Sequence, residues 1–153
     1  LEALKDYPEY KLVTIGSIRE SWYYDACKDV GKEQFIHLGR IENCDELLRS
    51  AYSGCEFFAM PSLIETPSIS ALEAAVSGSK VLITELGSTK EYFQDMVEYI
   101  NPYDVNMMKE SIKNIINSDK NILLESHVKL NFSPEKITKE LLEVYSKVKK
   151  KEI

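Results

Sequence analysis

The sequence predicts an α/β fold, a doubly wound parallel sheet with helices on both faces and a helical tail. Three observations predict it. Short apolar, β-branched or aromatic runs alternate with longer segments of helical period, the signature of repeated βαβ units. Glycines stand where such runs end, at Gly16, Gly39 and in the turn at Gly87. After Asn101-Pro102 the strand pattern ceases and helical periodicity alone continues.

Taken in order, the first strand is expected at Lys11–Ile15, closed by Gly16, with a helix over Glu20–Val30. The second strand, Gln34–Leu38, is closed by Gly39 and followed by a helix over Asp45–Ser53. The third, Glu56–Met60, leaves the sheet at Pro61, which cannot donate to a ladder. Its helix is expected over Pro67–Ser77, because Thr66 is a good cap and Pro67 a good first residue. There Ile69, Leu72, Ala75 and Val76 share an apolar face, with Ala71, Ala74 and Gly78 keeping its flanks small. Strands follow at Lys80–Thr84 and, more weakly patterned, Val97–Ile100, separated by a helix over Thr89–Gln94 whose Ser88 and Glu91 have the spacing of a capping box. The tail reads as helices over Val105–Asn117, Lys120–Asn131 and Pro134–Lys150. Ser133 suits the cap of the last, and its stripe of Ile137, Leu141, Val144 and Val148 is expected to pack back across a domain.

A length of 153 residues suits one domain, residues 1–153, with a single core. A net charge of −6 argues against nucleic acid as a partner. No apolar run approaches the length of a membrane span. The lysine-rich end Lys147-Val148-Lys149-Lys150-Lys151 most simply complements a helix dipole, with a membrane-surface or partner contact as the alternative. Cys27, Cys44 and Cys55 match no zinc or redox spacing and fit a reducing cytoplasm, to which the protein is assigned, with the inner face of the membrane as a possible station. The opening Leu1-Glu2-Ala3-Leu4-Lys5 reads as the middle of a helix, so the sequence is expected to be a piece of a longer chain.

Ligands of open parallel sheets bind at the carboxyl ends of the strands. The candidate site is therefore assembled from Gly16-Ser17, Leu38-Gly39-Arg40-Ile41, Ser62 to Ser68, and Glu85 to Thr89. Within Pro61–Ala75 the helix start would offer free N–H groups from about Ser68, Ile69 and Ser70 to a diphosphate. Glu65 projects from the preceding loop, and Glu73, about one and a half turns into the helix, is placed to accept hydrogen bonds from a sugar diol.

The ordered combination of Pro61-Ser62, Glu65 and Glu73-Ala74-Ala75 resembles the Glu-x7-Glu motif of the retaining GT-B glycosyltransferases called group 1, or glycosyltransferase family 4. Phe35-Ile36-His37-Leu38-Gly39-Arg40, Gly78 to Thr84, Gly87 to Phe93, Asn101-Pro102-Tyr103-Asp104 and Phe132-Ser133 extend the resemblance over essentially the whole chain. It implies the Rossmann-like, donor-binding carboxy-terminal half of a GT-B enzyme that transfers a sugar from a nucleotide-sugar with retention, in glycan or polysaccharide synthesis. By that resemblance Glu65 is catalytic, near the reacting centre of the donor sugar, and Glu73 holds the ribose hydroxyls. The Thr66-Pro67-Ser68-Ile69 turn would offer backbone N–H groups to the distal phosphate, Leu38, Gly39, Arg40 and Ile41 would line the base, and Gly16 and Ser17 would complete the mouth. No cofactor or metal is implied beyond the nucleotide-diphosphate sugar. The acceptor, glycan or lipid, and the oligomeric state, a dimer included, are left open.

Thr66-Pro67-Ser68 replaces the usual glycine-rich turn, and Gly16-Ser17-Ile18-Arg19 lacks a second glycine. The family's first carboxy-domain strand and its amino-terminal acceptor domain would precede Leu1, so the strands near Lys11 and Glu56 are expected either to pair directly or to receive a strand from another chain. Without the missing half the chain alone is expected to be inactive. Arg40 reads equally as solvated or as a base or phosphate contact; His37 and His127 read as structural, and Trp22, Tyr23 and Tyr24 as packing. The rival reading is a Rossmann-like binding domain that kept the fold and lost the reaction.

Overall fold

A computed structural model describes residues 1–149. Lys150 and Lys151, assigned above to the final helix and its basic end, lie outside the described residues. The strands are β1 (Leu12–Thr14), β2 (Phe35–His37), β3 (Phe57–Met60), β4 (Lys80–Thr84) and β5 (Glu98–Ile100). The helices are α1 (Ser21–Gly31), α2 (Glu46–Gly54), α3 (Ile69–Val76), α4 (Thr89–Phe93), α5 (Val105–Asn117), α6 (Ile122–Phe132) and α7 (Pro134–Lys149). Short 3₁₀ turns occupy Glu2–Asp6, where the middle of a helix was expected, and Lys32–Gln34.

All pairings are parallel, as the βαβ alternation requires. β1 pairs with β2, Val13 opposite Ile36, and β3-β4-β5 form a second block, with Ala59 opposite Leu82 and Ile83 opposite Tyr99. Of the two arrangements expected for the strands near Lys11 and Glu56, direct pairing is overturned, since among the described residues no ladder joins β1 to β3. The topology gives the reason. One crossover winds from β1 outward to β2 and the other from β3 outward to β4, which is the doubly wound order with its central place open. In place of a ladder, the Glu2–Asp6 turn packs on both α1 and α5. The Gln34 amide donates to the Tyr7 carbonyl at 2.9 Å, and Lys109 pairs with Asp6 at 2.8 Å. Beside the open place Val13 is 47% exposed, whereas every residue of β4 is buried.

β4 explains its own sequence. A strand covered on both faces reads as a continuous apolar run. Val81 and Ile83 meet Ala71, Ala74, Ala75, Phe93, Leu124 and Val128 on one face, and Leu82 meets Ala3, Ile100, Ile112 and Ile115 on the other. Lys80 enters this core with its ammonium satisfied, donating to Glu56 at 2.6 Å and to the carbonyls of Ile116 and Ser118 at 3.3 Å where α5 ends.

Three packing expectations are corrected. The buried face of α3 is Ala71, Ala74 and Ala75, while Ile69 and Val76 face outward, because only alanines let the helix approach β4 closely. Trp22 and Tyr23 are 69% and 60% exposed and meet each other edge-on; Tyr24 packs inward, against Phe35 and His37. On α7 the Ser133 hydroxyl accepts from Lys136 N–H as a cap should, yet Ile137, Leu141, Val144 and Val148 all stay exposed, since α7 packs on α6 without covering the stripe. Among the described residues no helix is long and apolar enough to cross a membrane.

Candidate functional site

Pro61 ends β3, and the chain runs extended toward the carboxyl end of β4. There Glu65 forms an isolated parallel bridge with Gly87: its N–H donates to the Leu86 carbonyl at 3.1 Å, and its carbonyl accepts from Ser88 N–H at 2.9 Å. The contact demands glycine. A Cβ at Gly87, whose φ is +101°, would lie 1.9 Å from the Glu65 carbonyl oxygen. The turn after β4 is itself anchored, because Thr84 Oγ1 accepts from Leu86 N–H and Thr89 Oγ1 donates to the Thr84 carbonyl at 2.8 Å. Glu65 is thus fixed by its backbone at the sheet mouth, with a half-buried side chain free to face a ligand.

The same bridge moves the helix start. Helix α3 begins at Ile69 with buried Ser68 in extended geometry before it, rather than at Pro67 capped by Thr66. Its first intrahelical bond runs from Leu72 N–H to the Ser68 carbonyl at 3.0 Å. Among the described residues no acceptor takes the N–H groups of Ile69, Ser70 and Ala71, one residue further along than expected. With the helix dipole, they make a site for an anion.

Glu73 lies on the outer side of α3, on the same edge as Ile69 and Val76, and faces α2. One carboxylate oxygen, Oε2, accepts from the Tyr52 hydroxyl at 3.0 Å. Among the described residues no lysine or arginine pairs with either Glu65 or Glu73. The tyrosine was not among the residues singled out from the sequence. It stands with Leu48 and Ala51 on the half-buried face of α2, and a half-buried tyrosine hydroxyl needs a partner. Burial first, then the bond to Glu73 and its charge, pushes the Tyr52 hydroxyl up to about 12.

The other wall comes from β1 and β2. Gly16 N–H donates to the Gly39 carbonyl at 2.8 Å, and Leu38 N–H to the Thr14 carbonyl at 3.0 Å, so Gly16, Ser17, Leu38, Gly39, Arg40 and Ile41 form one rim. Arg40 is exposed and pairs with Glu42 at 3.3 Å. His37 Nδ1 shares a hydrogen with Thr14 Oγ1 at 3.0 Å across the two strands. His127 is structural, bonded to the Tyr92 carbonyl at 2.9 Å and to Asn131 at 3.1 Å. The rim lies across the open central place from Glu65, and no hydrogen bond joins the two sides among the described residues. The expected capping box at Ser88 and Glu91 does not form: Ser88 makes no side-chain cap bond, its backbone N–H being committed to Glu65, and Glu91 is exposed. A concavity of 670 Å³ runs along the solvent side of α7 near Leu142, and one of 180 Å³ sits at the opposite end of the sheet near Lys80; neither belongs to the mouth.

The described geometry can bind a ligand that is anionic at one point and rich in hydroxyls on either side. The family of glycosyl transferases group 1 matches residues 1–131. No curated protein matches the sequence. Among solved structures, sucrose-phosphate synthase from Thermosynechococcus elongatus superposes with a TM-score of 0.84 at 18% identity, over 96% of this chain and 40% of that one. HepE from Anabaena, in complex with UDP and glucose, gives 0.78 at 15% identity over 95% and 43%. AviGT4, a glycosyltransferase of avilamycin A biosynthesis, gives 0.72 at 17% identity over 95% and 45%. The chain spans less than half the length of each of these structures.

Proposed function

Because the chain belongs to the group 1 glycosyl transferases, we propose that it is the donor-binding half of a retaining enzyme of glycosyltransferase family 4. Its substrate is a nucleotide-diphosphate sugar, and the activity serves glycan or polysaccharide synthesis. One observation carries the reading. The backbone of Glu65 is locked to Gly87 directly before the open N-terminus of α3, with Glu73 further along the same helix.

In this assignment the distal phosphate sits on the N–H groups of Ile69, Ser70 and Ala71, reached through the Thr66-Pro67-Ser68 turn. There the helix dipole stabilises the negative charge that grows on the leaving diphosphate. Glu73 accepts hydrogen bonds from the ribose diol, and the rim of Gly16, Ser17, Leu38, Gly39, Arg40 and Ile41 borders the base. Glu65 lies beside the donor sugar and stabilises the positive charge that develops at its anomeric carbon as the glycosidic bond breaks. The new bond forms on the face the diphosphate leaves, which is what retention requires. The acceptor enters from a second wall outside this chain, consistent with relatives more than twice as long. HepE, solved with UDP and glucose, makes a uridine donor the first candidate.

The chain alone is therefore expected to bind nucleotide diphosphate without transferring sugar. Calorimetric titration with UDP and GDP tests this. Saturable binding of one of them, weakened at least tenfold by Glu73→Ala, supports the assignment. Failure of both to bind leaves an inert Rossmann-like scaffold.

A further inference from the structure

We propose that Tyr52 is a positioning residue for the nucleotide's sugar: it holds the Glu73 carboxylate through one oxygen so that the other is aimed at the ribose hydroxyls. The inference rests on the preceding assignment of Glu73 to the ribose and adds a residue from a different helix to that subsite.

Glu73 is paired with no lysine or arginine among the described residues. A lysine or arginine there would take up the acceptor positions that neutral hydroxyls must use. A tyrosine hydroxyl restrains the group without neutralising it, because it donates one hydrogen and leaves the remaining lone pairs open. Tyr52 Oη donates to Oε2 at 3.0 Å from the neighbouring helix, 21 residues earlier in the chain. Of the two carboxylate oxygens, Oε1 has no described partner.

Tyr52 is itself restrained, its ring and its backbone carbonyl both being held. Its ring meets Phe58 of β3 edge-on, with centroids 5.8 Å apart. Its carbonyl accepts from the Ser79 hydroxyl and from Cys55 Sγ. The Ser77 hydroxyl donates to the Glu73 carbonyl at 2.8 Å and fixes the far end of α3. Donor and acceptor thus stand on two helices that are both clamped at the base of β4. A glutamate free to rotate would lose side-chain entropy on capturing a diol, whereas one already oriented loses less.

The test is a double-mutant cycle on the whole chain, titrated with UDP or GDP, whichever binds, and with the corresponding deoxyribose diphosphate. Tyr52→Phe is expected to weaken the ribonucleotide about five- to tenfold, to leave the deoxyribose analogue nearly unchanged, and to have no further effect in Glu73→Ala. Ring-carbon NMR of labelled tyrosine reads the bond without ligand, and Glu73→Gln is expected to lower the Tyr52 titration by the part that Glu73 contributes, leaving the part due to burial. Equal weakening of ribose and deoxyribose ligands, or an undiminished Tyr52→Phe effect in Glu73→Ala, overturns the positioning role while leaving donor binding intact. If neither nucleotide binds although the NMR shift is seen, the ribose assignment of Glu73 falls and this role falls with it.

Discussion

Replacing Gly87 with alanine probes the joint that positions Glu65. The added methyl carbon would sit 1.9 Å from the Glu65 carbonyl oxygen, 2.9 Å from its carbon and 3.1 Å from its nitrogen, all backbone atoms that no rotamer change can move. To restore contact at about 3 Å the Glu65 segment must retreat by about 1 Å, which sacrifices its bonds to Leu86 and Ser88. Two such bonds are worth about 1–3 kcal/mol together, and alanine in a positive-φ conformation costs about 1 kcal/mol more. The expected loss is about 2–4 kcal/mol in urea unfolding, accompanied by weaker nucleotide binding. Gly39→Ala separates the two contributions, because Gly39 has φ +75° but nothing within 4 Å of a built Cβ. It should lose only the conformational part, about 1 kcal/mol. A Gly87→Ala chain no less stable than Gly39→Ala would refute the claim that the bridge holds the loop.

Further outcomes are expected elsewhere. Lys80→Met strips its donors from Glu56 and from the carbonyls of Ile116 and Ser118, and should cost about 2–3 kcal/mol in denaturant unfolding. Leu141→Lys with Val144→Glu should leave the unfolding midpoint within about 0.5 kcal/mol, because both side chains already meet solvent in this chain. Tyr52 and Tyr99 are raised from 10.0 to about 12, each by burial first, aided by Glu73 and Asp95 respectively. The unfolded chain then releases these protons first, so stability is fully present below pH 10 and declines between 10 and about 12. Phenylalanine at both positions should flatten that decline in pH-dependent unfolding.

How far the sequence could be read depended on where the deciding contact lay. β4 and α5 were found to the residue, since a strand covered on both faces and an amphipathic helix with a clear start carry their signals locally. The start of α3 falls later than Pro67 although Thr66-Pro67 satisfies every local rule for a helix entry: the bridge from Glu65 to Gly87, 22 residues apart in sequence, holds the chain just before it, Thr66 and Pro67 bend, and Ser68 is extended. Ser88 likewise has the spacing of a capping box, but its geometry serves the Glu65 bridge instead. Periodicity showed that α7 has an apolar face and could not say what covers it; the same limit applied to Trp22 and Tyr23. The carboxylate pair was singled out by spacing and resemblance, and its roles stand as the proposal above. Tyr52 was not, because its role appears only when α2 is laid beside α3.

The most direct measurement is calorimetric titration of the chain and of Glu73→Ala with UDP and GDP at matched pH and salt. Donor binding at the sheet mouth requires saturable one-to-one binding of one nucleotide, with at least a tenfold loss in Glu73→Ala. Binding that is unchanged by that substitution, or absent for both nucleotides in a chain whose unfolding is cooperative, would contradict it.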